Sequence, residues 1–180
     1  MNSYKTEGIV IKRRNFGEAD KILTIFTKRY GKLQVKAPGI RKITSRRSPH
    51  VELLNYSAIS LYYGKSLPIL MEAKTIEPFS DIKSDLKKIS SAYHVCELVD
   101  NLCPDNQENW EVFTLLKETL SSIIYSSRLE EVIKDFELKI LVLLGFLKPI
   151  GVSANFNTVS FIEQIIEKKL KSRQIASLLT

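Results

Sequence analysis

The chain has 180 residues, 44% of them apolar and 26% charged, with 27 Lys and Arg against 20 Asp and Glu. Those proportions suit one globular domain or two small ones and exclude disorder along the whole length. No apolar run reaches the roughly 18 residues of a membrane-spanning helix, no secretory leader is read at the start, and two cysteines make no disulfide framework, so the reducing cytoplasm is the expected compartment.

The first 79 residues read as five strands. Lys5–Arg13 carries Ile9, Val10 and Ile11, and Lys21–Thr27 is rich in β-branched residues. Lys32–Ala37 alternates, with Leu33, Val35 and Ala37 on one face and Gln34 and Lys36 on the other. Leu53–Tyr63 and Pro68–Glu77 are two longer strands. Turn residues separate them: Asn15-Phe16-Gly17-Glu18, then Arg29-Tyr30-Gly31 with Gly31 free to take positive φ, then Gly64-Lys65-Ser66. Pro38-Gly39 ends the third strand, and Ser48-Pro49 closes a long connection after it. Five short strands with one long connection match a small closed barrel of the OB-fold type, with a small open β-sandwich as the rival.

Beyond Pro78 the apolar period changes to that of helices. Leu86, Ile89, Tyr93, Cys96, Val99 and Cys103 fall at three- and four-residue steps, with Ser80 and Asp81 as candidate N-caps. A second helix is expected over 106–125, with Trp110, Phe113, Leu116, Leu120 and Ile124 on one side. Ser127 and Glu130 have the spacing of a capping box and open a third helix, reaching Leu147 and central to its domain. Ser160 and Glu163 repeat that spacing before a fourth, and a last short helix is expected over 173–179. The predicted class is therefore α+β, an N-terminal barrel domain over 1–79 and an all-α domain over 80–180.

Charge follows the same division. Residues 1–80 hold 15 Lys and Arg against 6 Asp and Glu, a net of +9, whereas residues 81–180 hold 12 against 14, a net of −2. Between Lys12 and Arg47 there are 12 basic residues and two acids, Glu18 and Asp20. Lys12, Arg13 and Arg14 lead into the first turn. Lys28, Arg29 and Lys32 flank the second, Lys36 ends the third strand, and Arg41, Lys42, Arg46 and Arg47 fill the long connection. Several cations along a groove are what a phosphate backbone needs, so these eleven are the candidate nucleic-acid contacts. Tyr30, Tyr56, Tyr62 and Tyr63 are candidates for stacking on bases. Reversing Arg41, Lys42, Arg46 and Arg47 to Glu is expected to abolish binding and spare the fold.

Catalytic and metal chemistry find no constellation. Of the two histidines, His50 follows Pro49 at the edge of a strand and His94, beside the stripe of the first helix, reads as structural; no Gly-rich phosphate loop or nucleophile elbow appears, and the Glu130-Glu131 pair reads as solvated charge. Cys96 and Cys103 are two helical turns apart, about 11 Å, which zinc bonds near 2.3 Å cannot span.

Residues 7–31, EGIVIKRRNFGEADKILTIFTKRYG, resemble the start of the bacterial DNA repair protein RecO family, through the Phe16-Gly17-Glu18-Ala19-Asp20 turn and the Gly31 hairpin. The basic segment 36–47 and the run Phe136–Gly145 are similar to the family as well, and the likeness covers about residues 4–147. This resemblance implies an OB-fold followed by a helical domain and a non-enzymatic recombination mediator. Such a mediator binds single- and double-stranded DNA, anneals complementary strands, and binds the acidic tail of single-stranded DNA-binding protein (SSB). With RecR it helps load RecA recombinase onto SSB-coated DNA. The resemblance also implies action in the cytoplasm, at the nucleoid. Many family members carry a four-cysteine zinc site where this chain has cysteine-free residues 146–155, so no zinc or other cofactor is expected. Lys139, Lys168, Lys169 and Arg173 are candidates for the basic rim of a tail-binding groove. An RNA-binding module and a protein adaptor without nucleic acid are the alternatives.

Overall fold

The computed structural model describes residues 2–149 and 156–172. Its contacts gather into two compact units, residues 1–79 with 104–113, and residues 80–103 with those from 114 onward.

The first unit is built on five strands: β1 (Ser3–Phe16), β2 (Asp20–Thr27), β3 (Gly31–Ala37), β4 (Tyr56–Tyr62) and β5 (Ile69–Glu77). Their order is β1-β2-β3-β5-β4, and β4 pairs with β1 to close the ring. All pairings are antiparallel except β3 with β5, where Lys36 lies opposite Ile69. This is the five-stranded Greek-key barrel of the OB-fold, closed between β3 and β5 by the single pair Lys36 and Ile69. Val10, Leu23, Ile25, Leu33, Val35, Ala37, Ile59, Leu61 and Leu70 fill the interior, with Ile40 and Val51 added from the connection. The alternation of β3 thus points inward as the sequence requires, whereas β2 is buried at every position from Ile22 to Thr27.

Two departures from the predicted strands have local causes. A bulge between Val10 and Lys12 sets Arg13 opposite the core residue Leu23. The fourth strand begins at Tyr56 rather than Leu53. Leu54 adopts φ 72° and donates its amide to Val10, which in turn donates to Asn55, so the chain kinks before it can pair regularly. Ahead of this kink the connection forms a short 3₁₀ helix, Ser48–Val51, started by Pro49. His50 lies in it rather than at a strand edge, with its Nδ1 2.9 Å from the Thr75 hydroxyl.

The β2–β3 hairpin turns at Gly31, φ 64°. Thr27 Oγ1 donates to the Gly31 carbonyl at 2.8 Å and accepts from the Tyr30 amide at 3.1 Å. Residues 105–107 run beside this turn: the Asn106 amide donates to the Lys32 carbonyl, and a Cβ on Gly31 would lie 1.8 Å from the Gln107 carbonyl oxygen. Gly31 is therefore required twice, for its φ and for a backbone approach that no side chain permits.

The second unit contains α1 (Leu86–Leu102), most of α2 (Trp110–Tyr125), α3 (Leu129–Leu143) and α4 (Thr158–Ile166). The N-caps differ from those expected. Ser80–Ile82 form a 3₁₀ turn, and Asp85 caps α1 by accepting from the Lys87 and Lys88 amides. Helix α2 starts at Trp110, not residue 106, because Asn106 has φ 59° and Asn109 accepts from the Val112 amide. Arg128 opens α3 with no side-chain cap, so the Ser127 capping box does not form, and Asn157 rather than Ser160 caps α4. Helix α3 stops at Leu143, short of Leu147. Gly145 at φ 78° donates to the Val142 carbonyl and Phe146 to that of Leu141, a Schellman ending.

The buried faces are also rotated from the simple stripes. In α1 the core residues are Ala92, Val95, Cys96, Leu98, Val99 and Leu102, while Leu86 and Tyr93 are exposed; in α2 Trp110 is exposed and Ile123 replaces Ile124. Helix α3 buries Phe136, Glu137, Ile140 and Leu141. The helix expected over 173–179 lies outside the described residues.

Candidate nucleic-acid interface

Three connections converge at one end of the barrel. The β1–β2 turn is tied to the segment after β3 by the Asp20 carboxylate, which accepts from the Gly39 amide at 2.8 Å, and by the Arg41 amide, which donates to the Ala19 carbonyl. The Arg47 guanidinium donates to the carbonyls of Pro38 and Leu70 at 2.6 and 2.5 Å, and the Lys36 amide donates to Pro68 ahead of β5. Lys36 also lies 3.6 Å from Asp20 and 5.2 Å over the Phe16 ring. The Phe16–Asp20 motif is thus a brace: Ala19 and Asp20 hold the start of the basic connection, and Phe16 and Asp20 meet Lys36 at the end of β3.

Around this braced end Lys12, Arg14, Arg41, Lys42 and Arg46 are exposed. Among the described residues Arg14, Lys42 and Arg46 have no ion-pair or hydrogen-bond partner for the side chain. Arg41 makes one weak contact, 3.4 Å to the Gly17 carbonyl. Arg13 is half-buried and paired with Glu52 at 2.8 Å. Lys21, not singled out in the sequence, joins them: burial first and then Arg13 hold its ammonium below its ordinary range, with Arg41 adding and Glu52 opposing.

The remaining predicted cations are elsewhere or engaged. Lys28 and Arg29 occupy the β2–β3 hairpin, about 23 Å along β2 from its first residue. Lys32 is 8% exposed and paired with Asp105 at 3.1 Å, and Arg47 is committed to the two carbonyls above, so neither stands free for a phosphate. Lys28 and Arg29 border an open groove of about 390 Å³ on the outer surface of β1, β4 and β5, where Lys5 and Lys74 add two cations missed in the sequence and Glu7 and Glu72 two acids. The periodicity of β1 and β5 places Lys5 and Lys74 outward, the signal that was available.

The tyrosines separate likewise. Tyr56 is 5% exposed, hydrogen-bonded to Glu7 and in edge contact with Phe113, so no base can stack on it. Burial, then the Glu7 hydrogen bond and charge, push its hydroxyl pKa up. Tyr30 packs edge-on against Tyr4, which also meets Tyr63 at 4.5 Å; Tyr62 and Tyr63 are exposed. Tyr4, overlooked in the sequence, is the centre of this group.

In the helical unit His94 and Glu137 form a buried pair, Nε2 to Oε1 2.8 Å, extended by Ser172 on Nδ1 and by Thr158, which donates to the other Glu137 oxygen. Neither faces solvent. The Cys96 thiol is pushed up to about 12 by burial and by Asp100. Lys139 and Lys169 are paired with Asp135 and Glu163; Arg173 lies outside the described residues. Among the described residues no three His, Cys, Asp or Glu side chains assemble as a metal site and no helix is long and apolar enough to cross a membrane.

Comparison with known proteins agrees with the architecture. The family described as Recombination protein O N terminal matches residues 1–79, and Recombination protein O C terminal matches 83–148. The chain is 35% identical over 143 residues to the DNA repair protein RecO of Roseiflexus sp. (strain RS-1), covering 79% of this chain and 50% of that one. It is 34% identical over 154 residues to RecO of Dehalococcoides mccartyi (strain ATCC BAA-2100), covering 86% and 61%, and 36% identical over 146 residues to RecO of Alkaliphilus metalliredigens (strain QYMF), covering 81% and 59%. The chain therefore spans about half to three-fifths of the length of these relatives. Two successive domain matches and this identity place the chain in the Recombination protein O (RecO) family.

Proposed function

We propose that this chain acts in DNA repair as a recombination mediator that binds single- and double-stranded DNA and anneals complementary strands without a catalytic step. In this reading it works at the nucleoid, contacts RecR and the acidic tail of SSB, and promotes RecA loading onto SSB-coated strands. The observation that carries it is the braced end of the barrel, with five exposed cations, Lys12 and Arg14 on β1 and Arg41, Lys42 and Arg46 on the connection held through Asp20, Arg41 and Arg47. A backbone already held in place leaves only the side chains to be ordered on a phosphate backbone, and phosphate contacts position a strand whatever its sequence. The groove beside Lys28 and Arg29 supplies a second basic surface on the same barrel, which suits a protein that brings two strands together.

The test is binding to an oligothymidine by fluorescence anisotropy across a salt series. Five phosphate contacts predict a slope of log affinity on log salt near about −3.5 on single strands. The triple variant Arg14→Glu, Lys42→Glu, Arg46→Glu, which leaves the bracing Arg47 in place, is expected to lose binding while keeping its circular dichroism. A flat salt response, or full affinity in the folded variant, would refute the electrostatic mechanism; tighter binding to structured RNA would move the reading to an RNA module.

A further inference from the structure

The basic connection after β3 ends in an apolar point. Ile43 is 105% exposed, so no neighbour covers any part of it. It lies between Lys42 and Thr44 in a hydrogen-bonded turn whose Ser45 amide donates to the Lys42 carbonyl at 2.9 Å, which puts Ile43 at the corner. The turn itself is held. Lys42 donates back to Gly39, Gly39 to Asp20 and Arg41 to Ala19 on one side, and on the other Arg47 is fastened to Pro38 and Leu70. A bare branched aliphatic on a braced loop gains when something apolar receives it. Its flanks, Arg41, Lys42 and Arg46, are exposed cations, so a complementary receiver is apolar and bordered by negative charge. Stacked base pairs between phosphate strands have that form, and proteins that kink nucleic acid insert Ile, Leu or Phe between base steps while neighbouring cations hold the phosphates.

We infer that Ile43 is a wedge that enters a base step of bound DNA and unstacks it while Arg41, Lys42 and Arg46 grip the adjoining phosphates. The inference rests on the DNA-binding reading above and adds a role for this residue within it. Local unstacking by a mediator opens the paired or self-stacked strand to exchange, which cations alone do not do. An anionic lipid surface also combines apolar and negative character, but one small aliphatic with no aromatic companion on the loop fits the narrow gap of a base step better than a headgroup layer.

The experiment uses the full 180-residue chain and a short duplex carrying 2-aminopurine, whose fluorescence rises on unstacking. The wild-type protein is expected to raise it. Ile43→Ser is expected to abolish the rise and weaken duplex binding about tenfold, the scale of one well-buried aliphatic, with the salt slope unchanged. Ile43→Phe is expected to restore the rise. Because Ile43 touches nothing, all variants are expected to melt as the wild type does. Wild-type binding without a rise, or an equal rise from Ile43→Ser, would overturn the wedge and leave DNA binding standing. No DNA binding by the wild type would overturn the function reading itself. Flotation with phosphatidylglycerol vesicles closes the alternative: vesicle binding lost in Ile43→Ser alongside an unchanged duplex signal would make the tip a lipid anchor and overturn the wedge.

Discussion

Single residues in this barrel carry unequal demands. Gly31 needs both a left-handed backbone and the absence of a Cβ, since Gln107 passes where one would be. Gly31→Ala is therefore expected to cost at least about 1 kcal/mol from φ alone, more from the displaced segment, and to lower the melting temperature. Glu97 is a titrating example. Burial pushes its carboxyl up, but the Ser172 hydroxyl and amide, the Lys171 amide and His94 outweigh that and hold it below its ordinary 4.5. A lowered folded value adds stability above the ordinary glutamate range, and that stability is lost as pH falls through the folded value. The stability difference between wild type and Glu97→Gln in urea is expected to be largest near neutrality and to narrow below pH 4.5. A difference independent of pH would show that the two amide contacts do not depend on the charge.

At the scale of elements, the helical unit is fastened by one buried polar network. His94 from α1, Glu137 from α3 and Thr158 from α4 meet in it. Removing His94 leaves one oxygen of the buried Glu137 without its partner, so His94→Leu is expected to destabilise by about 1–3 kcal/mol, whereas His94→Leu with Glu137→Met recovers most of the loss. Urea denaturation of both variants measures this; equal losses would mean that the stranded Glu137 is not what costs the single variant its stability. Glu137 was illegible in the sequence because burial of a charge depends on what the neighbouring helix brings. The one available signal was that the second half of α3 is apolar on most of its circumference, which leaves a polar residue there little exposed side beyond that of Lys139. Helix starts failed for a related reason: Ser127 and Ser160 have capping-box spacing, yet the chain enters α3 and α4 at Arg128 and Asn157.

For the barrel as a whole, the cations read as one stretch of sequence divide in space. An antiparallel β2 carries Lys28 and Arg29 about 23 Å from the braced turn, so residues close in sequence serve opposite ends. Lys28→Glu with Arg29→Glu is accordingly expected to leave oligothymidine binding within about twofold, as rim charges do, yet to slow annealing of complementary strands markedly. Equal loss of both activities would mean a single continuous path for DNA rather than two surfaces.

The sequence by itself determined the five strands, the glycine hairpin, the change to helices after Pro78 and the concentration of basic charge, because period, turn chemistry and composition are local. It also carried the family likeness through the Phe16–Asp20 turn. Tertiary structure alone decided that Lys32, Arg47 and Tyr56 are engaged inside the fold, that Lys21, Lys5, Lys74 and Tyr4 join the charged and aromatic groups, and that Ile43 stands bare. Partner choice and exposure depend on which strands and turns meet around the barrel. That is fixed by closure, with Asp20 reaching Gly39, Arg47 reaching Leu70 and β4 returning to β1, contacts between residues far apart in the chain that no local pattern encodes.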